Sequence, residues 1–382
     1  MVQSIIDNDL YKFTQQHAVI SLFKTAQAVH RFTDRNKIDF PDGFDTELRK
    51  EIVKMSELSL SDEEGNFLKS KTPLPAFYIE YLKSYRFDPD EVDVELVDNK
   101  LSVQISGLIY RTILWEVPLM ATISELYFKM TGQHVDLSSL DSRDTQKFNR
   151  LNTAGVNYAD FGTRRRFSFE NHDRIVGIMA DMENSTAFGT SNVYLAMRYG
   201  LTPIGTQAHE WIMLHAAIYG YKMANRMAME NWIKVYNGEL GIVLTDTYTT
   251  DSFLEGFDSK YARINDGVRQ DSGDPLEYYN KIYTHYHNLN IEPKSKKVIF
   301  SNGLNTDESI DIKNRCNQMK PYFCIGTHFT NDVGVKPLNI VIKLYWVNFE
   351  GVSSHCVKIS DDLGKNTGEA NEVKLCKETL NV

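Results

Sequence analysis

The sequence predicts an α/β fold whose central part is a barrel of parallel strands. From about residue 157 onward, short apolar runs end in polar or glycine-rich clusters, and a helical pattern follows most of them. Strands that alternate with helices in this way predict parallel βα units. In nearly every unit the polar cluster falls at the carboxyl end of the strand, where barrels build their active sites. These clusters span residues 157–166, 187–192, 201–211, 241–247, 262–274, 297–303 and 322–328.

The chain before residue 136 predicts a smaller α/β domain. Its patterns predict a helix over 7–17 with a solvated polar face, a strand over 29–33, and charged helices over 45–71 with a turn at Glu64 and Gly65. They then predict a strand, or a strand and a short helix, over 77–86, a hairpin over 92–108, and a strand from 109 that breaks at Pro118 into a helix. After an apolar run at 338–345, the alternation of apolar runs with helical patterns ends. We therefore divide the chain into a first domain, 1–135 completed by the tail 346–382, and a barrel domain, 136–345.

Composition narrows the class of partner. The 382 residues are 42% hydrophobic and 24% charged, which is ordinary for a soluble globular protein. The formal net charge of −9 argues against broad binding of nucleic acid or anionic membranes. Any phosphate-binding pocket must therefore be local.

Cysteine usage and the N-terminus indicate a cytoplasmic protein. The four cysteines come late in the chain without metal-ligand spacing, so we expect free thiols in a reducing compartment. Residues 1–24 show no signal peptide, and no apolar run reaches the length of a transmembrane helix.

The stretch 201–211 contains the strongest single candidate, His209. Thr206 is a plausible N-cap, which places His209 in the first turn of an apolar helix, where backbone N–H groups favour a neutral imidazole and an anion. From this stretch alone a packing or capping role is favoured. A zinc helix is excluded because His215 follows His209 by six residues rather than four.

Other strand ends carry charged or small residues. Arg164 to Arg166 cannot all face one way, but one or two guanidinium groups suit phosphate or carboxylate, with a solvated basic run equally consistent. Arg269, Asp271 and Asp274 surround a tight glycine turn, where carboxylates serve Mg²⁺ or sugar hydroxyls, although Asp274 also fits a helix cap.

Two late units expose backbone N–H groups through small residues, as barrel phosphate sites do. They comprise Ser301, Asn302 and Gly303 in one unit, and Gly326 and Thr327 in the other. Asp246 could orient a ring nitrogen of His209 or cap a helix. Together the clusters predict chemistry on a phosphorylated sugar or nucleotide with Mg²⁺.

Seven short motifs, taken in order, resemble the nicotinate phosphoribosyltransferase family in its bacterial and fungal branch. They are Asn8-Asp-Leu-Tyr-Lys-Phe-Thr-Gln, Asp160-Phe-Gly-Thr-Arg-Arg, Gly189-Thr-Ser-Asn, Gly205-Thr-Gln-Ala-His-Glu-Trp, Leu244-Thr-Asp-Thr, Arg269-Gln-Asp-Ser-Gly-Asp-Pro and Phe300-Ser-Asn-Gly-Leu. The resemblance implies the irregular α/β barrel of type II phosphoribosyltransferases, with a smaller α/β domain built from both chain ends. It also implies that nicotinate and phosphoribosyl pyrophosphate give nicotinate mononucleotide and pyrophosphate in NAD salvage, with ATP hydrolysis coupled through a phosphohistidine.

The resemblance also implies roles for individual residues. His209 would be the phosphorylated histidine, Asp246 its orienter, and Asp271 a contact to ribose or to substrate-bound Mg²⁺. Phe161 and Tyr11 would sandwich nicotinate, with Tyr11 supplied by the neighbouring subunit of a homodimer. Arg269 would read the pyridine substituent and Arg164 would hold phosphate. The residues of the two late units, among them Gly303, Gly326 and Thr327, would cradle the 5′-phosphate.

Ser191 discriminates between the two nearest functions. Related nicotinamide phosphoribosyltransferases resemble this chain but carry an aspartate there, which would repel a carboxylate, whereas a serine can donate to it. The alternatives left open are such a nicotinamide enzyme, a sugar-phosphate aldolase or isomerase, and a nucleotide-sensing pseudoenzyme. The sequence does not identify which of Arg165 and Arg166 faces the ligand.

Overall fold

The computed structural model describes residues 1–362 and 365–382 and contains eleven strands in two sheets. The strands are β1 (Gln27–Asp34), β2 (Val92–Val97), β3 (Lys100–Leu108), β4 (Tyr158–Asp160), β5 (Ala187–Thr190), β6 (Ile242–Leu244), β7 (Gly267–Gln270), β8 (Lys297–Phe300), β9 (Lys320–Ile325), β10 (Ile340–Phe349) and β11 (Val352–His355). One sheet is antiparallel in the order β11-β10-β1-β3-β2, and the other is parallel in the order β5-β4-β9-β8-β7-β6.

The antiparallel sheet unites the two ends of the chain. Strand β1 lies at its centre, paired with β3 on one side and with β10 on the other. Strand β11, in the C-terminal tail, pairs with β10 at the edge of this sheet. The division at residue 345 was placed too late, because it cuts β10, whose whole length pairs with β1 or extends that ladder.

The parallel sheet has the alternation of strands and helices that the sequence predicts. Its two edge strands, β5 and β6, are linked by the extended segment 202–206 rather than by a shared ladder. Thr190 exchanges backbone hydrogen bonds with Thr202 and Ile204, and the Thr206 hydroxyl donates to the carbonyl of Ile242 at 2.8 Å. The segment that leads to His209 thus spans the gap in an irregular barrel.

In the part of the chain that the structure describes, seventeen α-helices surround the two sheets. They are α1 (Leu10–Leu22), α2 (Phe44–Met55), α3 (Asp62–Lys71), α4 (Ala76–Ser84), α5 (Ile109–Thr112), α6 (Glu116–Met130), α7 (Asp141–Thr153), α8 (Phe169–Ala180), α9 (Val193–Arg198), α10 (His209–Tyr219), α11 (Tyr221–Tyr236), α12 (Thr250–Gly256), α13 (Ser259–Ile264), α14 (Pro275–Asn288), α15 (Thr306–Arg315), α16 (Thr327–Thr330) and α17 (Ala370–Leu380).

The first helix differs most from its prediction. Every residue of α1 from Leu10 to Val19 is buried, so it has no solvated face over that length. Its polar side chains are tolerated because they find partners: Thr14 donates to the carbonyl of Thr206 at 2.6 Å, and His17 lies 3.0 Å from the Tyr236 hydroxyl. Helix α1 therefore packs between the first domain and the barrel.

Three smaller predictions were wrong in the same region. Residues 109–117 form helical turns rather than a strand, and Pro118 lies in the first turn of α6, where its missing N–H is not needed. Glu64 is inside α3, where it forms a capping box with Ser61, so the turn precedes it. Segment 77–86 contains helix α4 and no strand.

Two hydrophobic cores correspond to the two sheets. One lies between the antiparallel sheet and helices such as α1, α6 and α10, and the other fills the barrel and its outer helices. Across residues 1–362 and 365–382, no helix is both long and apolar enough to cross a membrane.

Candidate active site

Two connected cavities lie where the carboxyl ends of the barrel strands face β10 and the tail. The larger, about 220 Å³, is here called the cationic pocket, and the smaller, about 30 Å³, the ring slot. Both are lined by Phe161, Arg164, Arg269, Asp271 and Lys343. The ring slot is also lined by Asp9, Tyr11, His30, Glu116, Ala208, His209, Glu210, Met213, Ile342 and Leu344.

The cationic pocket concentrates positive charge in an acidic protein. Its lining includes seven cationic side chains and a single carboxylate, Asp271, whereas the chain as a whole carries −9. The cations are Arg35, Arg164, Arg165, Arg269, Lys343, Lys358 and Lys365. Such a set attracts polyanions, and guanidinium groups bind phosphate through paired hydrogen bonds.

His209 is the first residue of α10, at the edge of the ring slot. The residue before the helix is Ala208, so Thr206 is not the N-cap. The Nδ1 atom lies 2.9 Å from the Thr247 hydroxyl, and Nε2 lies 3.1 Å from Oδ2 of Asp271. Because a carboxylate only accepts, the neutral ring carries its proton on Nε2 and accepts at Nδ1 from Thr247.

Burial lowers the pKa of His209 to about 4, and the nearby Lys358 ammonium acts in the same direction. The imidazole is therefore neutral at physiological pH. The expectation that Asp246 contacts this ring is not met. The Asp246 carboxylate instead accepts from the Ser272 hydroxyl and lies 3.7 Å from Lys358 Nζ, because the following residue, Thr247, is the one that faces His209.

Asp271 joins His209 to Arg269. Its Oδ1 accepts from Ser301 at 2.9 Å and lies 3.4 Å from Arg269 Nη2, while Arg269 Nε donates to Ser301 Oγ at 3.0 Å. Burial alone would raise the pKa of Asp271, but the Arg269 guanidinium and the hydrogen bond from His209 hold it well below its ordinary value. The Arg269 guanidinium also lies 5.7 Å from the centre of the Phe161 ring.

The arginine triplet divides into site and structural residues. Arg164 lines both cavities, with Nη1 3.5 Å from Glu116, and Arg165 lines the cationic pocket. Arg166 is fully buried and holds both Asp7 oxygens, at 2.8 and 2.9 Å. Of the two residues left open by the sequence, Arg165 is therefore the one that faces the cavity.

Small residues form the opposite wall of the cationic pocket, as the two late units predicted. Ser301, Asn302, Gly303, Gly326 and Thr327 all line it. Gly303 has a φ of +60°, a conformation that favours glycine. Because glycine has no side chain, an anion can approach the backbone closely at Gly303 and Gly326.

Tyr11 and Phe161 line the ring slot from the same chain. A neighbouring subunit is therefore not needed to supply Tyr11, contrary to the expectation from the resemblance. Ser191 also differs from its prediction, because it does not line the slot. Its hydroxyl donates to Asp9 Oδ1 at 2.7 Å, and the backbone hydrogen bond from Leu10 N to Ser191 O places Asp9 between Ser191 and the slot.

Sequence reasoning missed the cations that lie outside the barrel. Arg35 follows β1, Lys343 is in β10, and Lys358 and Lys365 belong to the tail. One signal was available, because Lys343 interrupts an otherwise apolar strand pattern at 338–345. Burial lowers the pKa of Lys343 to about 8.

Known proteins match the chain over its full length. Residues 156–382 match the nicotinate phosphoribosyltransferase (NAPRTase) family, and residues 6–124 match the N-terminal domain of that family. A nicotinate phosphoribosyltransferase from Chromohalobacter salexigens is 45% identical over 384 residues, covering 100% of this chain and 98% of the relative.

Solved structures agree. The crystal structure of nicotinate phosphoribosyltransferase from Porphyromonas gingivalis has a TM-score of 0.98 at 44% identity, with 100% of each chain covered. The enzyme of that name from Vibrio cholerae has a TM-score of 0.93 at 31% identity, covering 100% of this chain and 94% of that one. The predicted irregular barrel with a smaller α/β domain is confirmed, and the chain belongs to the nicotinate phosphoribosyltransferase family.

Proposed function

We propose that this chain catalyses the transfer of a phosphoribosyl group from phosphoribosyl pyrophosphate to nicotinate in NAD salvage. The ring nitrogen of nicotinate attacks C1 of the ribose, the bond from C1 to the pyrophosphate oxygen breaks, and pyrophosphate leaves. The observation that carries this proposal is a ring slot that opens directly onto a strongly cationic pocket. Tyr11 and Phe161 in the one cavity suit stacking on a flat aromatic ring, and the cations of the other suit a polyphosphate, so the reacting atoms would meet where the two adjoin.

Residues that line the two cavities would bind the substrates at this junction. Phe161 and Tyr11 would stack on nicotinate, and Arg269 would bind its carboxylate. Arg164 and the small-residue wall would hold phosphate oxygens, with Asp271 beside the ribose. The Asp271 carboxylate would also contact Mg²⁺, which typically takes one or two carboxylates together with substrate phosphates. The position of Asp271 fits that mode, because its carboxylate lines both cavities.

We further propose that ATP phosphorylates His209. A neutral imidazole is nucleophilic, and His209 is held neutral beside the cationic pocket. The terminal P–O bond of ATP would break, an N–P bond would form on the ring, and ADP would leave. A phosphoryl group at the start of α10 would face the helix N-terminus and nearby lysines, and its charge could order the pyrophosphate site. Thr247, rather than Asp246, would orient the ring.

The rival functions are weaker. The family match does not favour a nicotinamide enzyme or a sugar-phosphate aldolase or isomerase. His209 and Asp271 are both present and in contact, which argues against a pseudoenzyme. The four cysteines are unpaired and buried, which supports a reducing, cytoplasmic setting. A homodimer stays a prediction.

The test is formation of pyridine mononucleotide from phosphoribosyl pyrophosphate and Mg²⁺, with nicotinate or nicotinamide, each with and without ATP. We expect turnover of nicotinate that ATP increases, and we expect His209→Ala to lose the increase. Turnover of nicotinamide alone would move the chain to the sister activity. An ATP effect that persists in His209→Ala would refute the phosphohistidine.

A further inference from the structure

Asp9 is one of four carboxylate residues that line the ring slot, whereas Ser191 does not line it. Asp9 lines the slot and is 3% exposed, whereas Ser191 lies behind it with no exposed surface. The Ser191 hydroxyl already donates a hydrogen bond to Asp9 Oδ1 at 2.7 Å. Ser191 can therefore influence a ligand in the slot only through Asp9 or after a rearrangement.

The charge around Asp9 makes an ionised carboxylate there unfavourable for an anionic ligand. Three further carboxylates, Glu116, Glu210 and Asp271, line the slot together with the cations Arg164, Arg269 and Lys343. Asp160 also lies close enough to disfavour the ionised form of Asp9. Burial raises the pKa of Asp9, although the Arg164 guanidinium and the hydroxyls of Ser191 and Thr163 oppose it. A neutral carboxyl group can donate a hydrogen bond to a carboxylate, whereas an ionised one can only repel it.

We propose that Asp9 is a specificity-determining residue: it stays protonated in the ring slot and donates a hydrogen bond to the carboxylate of nicotinate. Ser191 acts indirectly, because its hydroxyl holds Asp9 Oδ1 and leaves the other oxygen to carry the proton. This inference rests on the proposed function, whose substrate it explains.

The same geometry predicts how an aspartate at position 191 would act. Two carboxyl groups at hydrogen-bond distance share one proton, so the pair keeps a negative charge beside the slot. The Ser191→Asp variant would then bind nicotinate less well because of the charge that residue 191 shares with Asp9, although residue 191 does not contact the substrate. Replacing Asp9 with asparagine in that variant confines the negative charge to position 191, which does not line the slot, so the repulsion of nicotinate should weaken.

The experiment compares kcat/KM for nicotinate with kcat/KM for nicotinamide in four proteins: wild type, Asp9→Asn, Ser191→Asp and the double variant. Using the ratio cancels any loss of rate common to both substrates. We expect Ser191→Asp to lower the ratio about 100-fold, because like charges in an interface cost several kcal/mol. The double variant should recover the ratio to within about tenfold of Asp9→Asn, a difference of about 1.4 kcal/mol.

Two kinetic outcomes would overturn the proposal. If Asp9→Asn does not restore the ratio in the double variant, Ser191 acts on the substrate directly. If Asp9→Asn alone raises the preference for nicotinate more than tenfold, the wild-type Asp9 repels nicotinate and is therefore ionised. The infrared difference spectrum of wild type minus Asp9→Asn, without substrates, gives an answer independent of activity: the band of a protonated carboxyl group is expected at neutral pH, and its absence refutes the proposal. A wild type that fails to use nicotinate would instead refute the proposed function.

Discussion

Replacing Lys12 with methionine should strongly destabilise the protein, although Lys12 lies in a helix of mixed polarity. Lys12 Nζ is 2.5 Å from Glu116 Oε2 and 2.6 Å from Glu210 Oε2, and its side chain is fully buried. His30 Nε2 lies 2.5 Å from the other oxygen of Glu210. The ion pairs join α1, β1, α6 and α10, so they connect the first domain to the barrel.

The size of this destabilisation follows from leaving the Glu116 and Glu210 carboxylates without the Lys12 ammonium. Burial would raise the pKa of Glu210, but Lys12 and His30 lower it to about 2. Breaking a buried pair by removing one partner costs about 3–5 kcal/mol. In the wild type the lowered pKa stabilises the fold above pH 4.5, and this contribution is lost as the pH falls towards 2. Without Lys12 the carboxyl groups should take up protons at higher pH, so the difference between variant and wild type should shrink in acid.

Urea unfolding of Lys12→Met and wild type at pH 7 and pH 4.5 measures both effects. The matched control is Lys50→Met, which removes an exposed pair with Glu47 at 2.7 Å. Exposed pairs contribute less than about 1 kcal/mol, so this variant should resemble wild type. If the free energy of unfolding changes as little for Lys12→Met as for the control, the reasoning is refuted. A destabilisation of Lys12→Met that is independent of pH would refute it as well.

The remaining predictions concern neighbouring arginines and buried histidines. Arg166→Met should lower the free energy of unfolding by about 3–5 kcal/mol because Asp7 loses its buried partner. Arg165→Met should instead keep the melting temperature and raise KM for phosphoribosyl pyrophosphate about tenfold. Equal losses of stability in the two variants would contradict the division into a structural Arg166 and a pocket-lining Arg165. His209 and His215 have pKa values lowered to about 4 by burial. Since the unfolded residues bind protons near pH 6.5, stability should fall by about 1.4 kcal/mol per pH unit per histidine from there towards pH 4, and NMR titration should find neither ring protonated above pH 5.

The barrel and the strand-end positions of the site were predictable because local patterns encode them. Arg269, Asp271 and the glycine-rich units end parallel strands, and parallel strands bring their carboxyl ends to one edge. Asp271 directly follows β7, whereas His209 follows the extended segment 202–206, which is not a strand of the sheet. Both residues were candidates before the distance between them was known.

What could not be predicted depends on packing between distant segments. The polar sequence of α1 indicates a solvated helix unless its partners are known, and those partners come from residues about 60 to 220 positions away. Whether Ser191 or Asp9 meets the slot depends on the backbone hydrogen bonds that join residues 6–10 to residues 191–194. A strand and a buried helix also give the same apolar run, as at 109–117.

The distribution of the cations explains why the smaller domain cannot be separated from the chemistry. Four of the seven cations in the pocket, Arg35, Lys343, Lys358 and Lys365, come from the antiparallel sheet or the tail rather than from the barrel. A polyphosphate bound there would neutralise charges from both layers at once. Without it, like charges from the two layers repel one another across the pocket. Ligand binding and the packing of the two domains should therefore be linked, because each relieves the same repulsion.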